Sequence, residues 1–260
     1  MRGAFAVGAR VSYVSLPETR SPITFLVGLV VVPFLTALFY LLLASGGTAS
    51  LRPGDALAAS LASGAIAATV TVSTLVVTDR FEGTRAFLLL SPRTNTSLWL
   101  GRLSVPVLIG VVTGIASSYA ILLMSRASIA PAVWLQIPLF VATAVVASAG
   151  LGVFIGGLGL GMRDPLLASN VAGYALPLVC GVIAPVTLFP APLEALAGVL
   201  PLTHVTTAAR SFIESGSLAA AGSEMLTAIV VGAAWGLVGV VTWKWHERRI
   251  VREGASEQVL

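Results

Sequence analysis

Few residues of this 260-residue chain can do chemistry, and their placement limits what that chemistry is. The two histidines, His204 and His246, lie far apart; the one cysteine, Cys180, sits inside an apolar run; the one lysine, Lys244, closes the last apolar run. These residues offer neither a disulfide framework nor a metal site. No Ser/Lys pair falls inside an apolar run, and a serine or threonine without a base is not activated as a nucleophile. There is no GxxxxGK[ST] loop, so the chain has no P-loop ATPase site of its own. The carboxylates also avoid the apolar runs: Asp164 and Glu82 fall between them, and Glu194, Glu214 and Glu224 in a polar segment. Ion-coupled carriers usually keep an ionisable residue or a broken helix at mid-membrane. Pro33, Pro177 and Pro185 do interrupt apolar runs, and read as ordinary kinks.

Two clusters remain. From Thr78 to Arg102 runs TDRFEGTRAFLLLSPRTNTSLWLGR. Here Asp79, Arg80, Glu82 and Arg85 mix charge around Gly83 and Thr84, followed by Phe87, Leu88 and Leu89 and then Pro92. Gly83 and Thr84 can start a helix, and Phe87 to Leu90 give it an apolar face that fits a groove on a soluble protein. The alternative is that these residues lie on the membrane surface. The second cluster, from Pro201 to Arg210, holds Leu202, Thr203 and His204 in PLTHVTTAAR.

The elements that position these clusters follow from composition. The chain is 57% hydrophobic and 10% charged, against about 25% charged in soluble domains. Bilayer is its natural solvent. Fourteen of the fifteen basic residues are Arg, and they stand at the ends of apolar segments rather than in one patch. That suits lipid headgroups and not nucleic acid. A helix needs roughly 20 apolar residues to cross the hydrocarbon core. Six stretches predict spans: 23–44, 57–77, 104–124, 133–158, 166–188 and 226–243. The second is the least apolar, carrying Ser60, Ser63, Gly64, Thr69, Thr71, Ser73 and Thr74; such residues suit helix packing or a cavity lining. The first is too long, and starts too far from Met1, for a cleaved leader.

Placing both termini in the cytoplasm puts twelve basic residues inside and three, Arg52, Arg126 and Arg210, outside, as the positive-inside rule asks. Trp99 and Trp243 then fall at inner ends and Trp134 at an outer end, with Trp235 mid-span. The expected organisation is all-α and polytopic. Residues 1–22 form an interfacial amphipathic segment with Ala4, Val7, Val11 and Val14 on one face, ended by Pro17. Residues 23–243 form the six-span domain and 244–260 a cytoplasmic tail. Residues 189–224 are too polar and proline-broken to span, yet too apolar for a free loop. They predict a pair of short helices re-entering the outer leaflet, punctuated by Pro190, Pro192 and Pro201. Gly152-xxx-Gly156 and Gly232-xxx-Gly236 permit close helix approach, within the chain or in a dimer.

The segment Glu82-Gly83-Thr84-Arg85-Ala86-Phe87-Leu88-Leu89-Leu90-Ser91-Pro92 resembles the E-x-G-T-x-E-x-L-L-x-[TS]-P pattern between spans two and three of ABC-2 type transporter permeases, those of the daunorubicin-resistance type included. Pro201-Leu202-Thr203-His204 with Arg210 resembles that family's P-x-x-H-x-x-x-x-x-R element after span five, and Phe189-Pro190 its F-P turn more loosely. Ala86 departs from the family, which often has Glu there.

The resemblance implies a half-transporter. Two six-span subunits, identical or paralogous, would pair and bind two cytoplasmic ABC ATP-binding subunits that hold the ATP and Mg. This chain would bind no cofactor itself and would not be an enzyme. Asp79 to Pro92 would be the coupling helix. For Pro201 to His204 the alternative is that they terminate one short helix and cap the next, with no substrate contact. Low aromatic content leans toward an amphiphilic drug or lipid as substrate. Haem, a polysaccharide or another envelope precursor is the alternative, as is a non-transporting membrane scaffold. The expected location is the inner (plasma) membrane of a bacterium.

Overall fold

In the computed structural model, residues 2–16, 21–46, 52–81, 96–124 and 131–253 are described, and among them the chain is helical with no strand. Pro17, Glu82, Gly83, Thr84, Arg85, Phe87, Leu88, Leu89 and Pro92 lie outside the described residues. Helix α1 covers Arg2–Ser15 and α2 Pro22–Ala44, the latter with a π-helical turn at Val27–Val31. Then follow α3 Pro53–Phe81, α4 Thr96–Met124 and α5 Pro131–Gly159. A 13-residue α6, Leu167–Val179, precedes a 3-10 turn at Val186–Leu188. Helices α7 Ala191–Gly198 and α8 Pro201–Ser215 lead into α9, Leu218–Glu253.

Five of these, α2, α3, α4, α5 and α9, are long and apolar enough to cross a membrane. At 1.5 Å per residue the 29-residue helices α3, α4 and α5 run about 43 Å, against a hydrocarbon core of about 30 Å. The expected fifth span differs. The helix begins at Leu167 but ends at Val179, about 20 Å long, because Gly181 turns left-handed (φ 72°) just beyond it. That is the usual way a glycine ends a helix, and Pro185, four residues on, leads only into the short 3-10 turn. Large side chains such as Phe39 and Leu42 on α2 and Leu237 and Val241 on α9 face outward, an exterior suited to hydrocarbon.

The least apolar span occupies the centre. In α3 72% of the apolar window is buried, against 28% in α2 and 22% in α9. Its fully buried hydroxyls bring little cost because they donate to their own helix, among them Ser60 to Leu57 O at 2.8 Å, Ser63 to Ser60 O at 2.8 Å and Thr69 to Ala65 O at 2.9 Å. Two also tie α3 to its neighbours, Thr69 Oγ1 to Ser148 O at 3.0 Å on α5 and Ser73 Oγ to Ser169 Oγ at 2.8 Å on α6. Both glycine pairs are used inside the chain. Gly152 and Gly156 of α5 lie on Val72 and Val76 of α3, while Gly232 of α9 lies against the backbone of Ala147 on α5.

Helix α1 docks on the start of α4. A Cβ on Gly8 would overlap the Leu98 carbonyl, and one on Gly101 the Phe5 carbonyl. The glycines of α1 thus do opposite things: Gly8 is the contact, and Gly3 meets nothing within 4 Å. Ser12 is buried beside Gly8, whereas Phe5, Val7, Val11 and Val14 face outward. Gly8→Val is therefore expected to lift α1 off α4 and raise its protease sensitivity in detergent, with Gly3→Val as the silent control.

Candidate functional site

Two antiparallel helices, α3 arriving and α4 departing, bring Asp79 and Arg102 face to face at the end of the bundle that carries α1. Arg102 donates from Nη1 to Asp79 Oδ2 at 2.7 Å and from Nη2 to Oδ1 at 3.0 Å. Both side chains are less than a tenth exposed, 4% and 8%. The guanidinium also lies over Trp99, 4.5 Å from the ring centroid, and Trp99 meets Trp243 of α9 edge-on at 4.1 Å. Trp243 Nε1 in turn donates to Glu247 at 2.8 Å. Next to Asp79, Arg80 Nη1 donates to the carbonyls of Met162 at 2.7 Å and Leu160 at 3.3 Å, where a helix end leaves acceptors free. A bidentate buried guanidinium–carboxylate pair fixes direction as well as distance.

Of the predicted coupling residues, then, Asp79 and Arg80 are described and both are engaged within the chain. They hold the stem of the segment that follows, and the remaining eight lie outside the described residues. Arg102 was counted in the sequence only as a topological charge. The available signal was its symmetry with Asp79, each at the segment's junction with an apolar run.

At the opposite end, α8 lies against α3, α5, α7 and α9. Pro201, Leu202 and Thr203 are buried there. His204 joins two elements: Nδ1 is 2.8 Å from Glu224 Oε2 on α9, and Nε2 is 3.0 Å from Gly198 O at the end of α7. Arg210 Nε donates to Asp55 Oδ1 at 2.9 Å, and Nη2 to Val182 O at 3.3 Å. Thr206 Oγ1 donates to Cys180 O at 2.8 Å, satisfying the broken end of α6. In this arrangement His204 and Arg210 staple short helices to long ones. His204→Ala should lower stability by about 1 kcal/mol, a modest loss because the pair is partly exposed; thermal unfolding in detergent against Glu224→Gln checks it.

A third feature was open in the sequence only as one alternative for the polar residues of the second span, without a location. A cavity of about 470 Å³ opens between α2, α3, α4 and α6, lined among others by Gly28, Pro33, Thr36, Thr71, Thr113 and Asn170. Its volume lies in the range of small-molecule sites. The signal available was Pro33 within an apolar run, together with hydroxyls spaced along three neighbouring runs. Among the described residues no group of three or more His, Cys, Asp or Glu could hold a metal ion. Compared with protein-family models the sequence matches none, and no curated protein matches it either.

Proposed function

We propose that this chain is the membrane subunit of an ATP-driven exporter that moves an amphiphilic or lipophilic substrate, powered by separate cytoplasmic ATP-binding subunits. The observation that carries the reading is the buried Asp79–Arg102 clamp at the root of the 82–95 segment. The clamp joins the helix ends that flank this segment, so a force delivered to either end moves α3 and α4 together, and α3 is the centre of the bundle. A partner that gripped the segment differently with and without nucleotide would bias the whole bundle, as coupling by differential affinity requires.

In this reading the α1 end is cytoplasmic, both termini are inside, and two copies or paralogues pair in the plasma membrane. Helix α6 and the non-helical stretch after it form a sixth, broken crossing, and α7 and α8 form the re-entrant outer pair. Broken helices are tolerated at membrane depth where protein or a cavity covers them, and the Thr206 and Arg210 bonds to Cys180 O and Val182 O supply such cover. The cavity favours transport over a scaffold role, which needs the inner segment but no place for a substrate.

Inside-out vesicles containing the chain and its ATPase should sequester the lipophilic dye Hoechst 33342 only with ATP. Sequestration should stop when the partner's ATP site is inactivated. Dye movement indifferent to that substitution would contradict the proposal.

A further inference from the structure

The wall of the α2–α3–α4–α6 cavity offers hydrogen-bond acceptors that its own helices leave unused. In the π-helical turn, Val32 donates its N–H to Val27 O rather than to Gly28 O four residues back. Pro33 comes next and has no N–H. The Gly28 carbonyl is therefore passed over by both amides that could reach it, and Gly28 lines the cavity. Thr36, Ser63 and Thr113 line it too, each with its hydroxyl hydrogen already given to a carbonyl of its own helix. Their remaining lone pairs accept. Asn170 and Thr71, also in the lining, make no side-chain hydrogen bond to another described residue. Among the described residues that line it, none is Asp, Glu, Lys, Arg or His. Leu29, Val32 and Ile66 add apolar surface alongside.

An acceptor left open at membrane depth is costly until a donor meets it. A charged ligand would bring an ion into the same place with no counter-ion among the described lining residues. We infer that this cavity binds an uncharged amphiphile whose head group donates hydrogen bonds, the chain of the ligand lying along Leu29, Val32 and Ile66. As the substrate's site the cavity rests on the exporter reading; as a binding site it does not.

The test is native mass spectrometry of the full-length protein in detergent, without nucleotide or partner, with three probes of equal chain length: monoolein, oleic acid and oleylamine. Monoolein should bind saturably, at least about tenfold tighter than either charged probe. Asn170→Leu and Thr71→Val should each weaken it by up to about tenfold, as loss of one hydrogen bond allows, with the unfolding temperature unchanged. Equal binding of the three probes, tighter binding of a charged one, absence of saturation, or indifference to both substitutions would each overturn the inference. The head-group comparison uses the unmodified protein, so it stands if a variant fails to fold. A negative result leaves the coupling to an ATPase untouched, and failure to find an ATPase leaves a monoolein site intact.

Discussion

Asp79→Leu or Arg102→Leu alone is expected to destabilise the protein by about 3–5 kcal/mol, and the double leucine variant to recover most of that loss. Each single change removes the opposite charge from beside a buried ion; the side chains are 8% and 4% exposed, so water makes good little of the deficit. Removing both charges leaves apolar side chains of useful bulk among Trp99 and the neighbouring helices. The interaction energy from the double-mutant cycle should therefore be large and favourable, read by thermal unfolding of the purified protein in one detergent. Additive losses would mean that the two residues act separately. If the clamp also transmits force, the double variant should fold yet respond poorly to its partner, which separates stability from coupling.

Gly150→Ala and Gly232→Ala should each cost about 1–3 kcal/mol, in the range of overpacked cores, and Gly150→Leu more. A Cβ on Gly150 would overlap Gly232 O, and one on Gly232 would overlap Ala147 O. Both are backbone atoms that can yield only if α5 and α9 separate. Gly222, further up α9, meets nothing within 4 Å; Gly222→Ala should be neutral or stabilise by about 0.5–1 kcal/mol through helix propensity. Opposite signs for the same chemical change in one helix is a demanding outcome, and denaturant or thermal titration of the three variants reads it directly.

How much of this was legible in the residues differs from element to element. Apolar runs long enough to span gave α2 to α5 and α9 with their order, because bilayer thickness sets a length that composition reveals. The polar character of α3 argued either for weakness or for a packed position. Ser60, Ser63 and Thr69 were compatible with the second because each satisfies itself on its own helix. The end of α6 was missed: Cys180-Gly181 carries a helix stop, yet the apolar residues on both sides hid it. The partners of Gly152 and Gly232 were not in the sequence at all, since spacing shows that two helices can approach but not which two. Asp79 and Arg102 stand 23 residues apart and meet only because α3 and α4 are antiparallel. Gly28 and Pro33, in the cavity wall, lie in and just after a π turn of α2, which a proline in a span permits but does not require.

The claim that an ATPase grips the 82–92 segment is tested most directly by purifying tagged protein from native membranes in mild detergent. What co-purifies is then identified by mass spectrometry and assayed for ATP hydrolysis. A stoichiometric P-loop ATPase that disappears when residues 83–89 are scrambled, while the chain remains folded, is the expected result. Recovery of other intact complexes under the same conditions, with no nucleotide-binding partner on this chain, would contradict it.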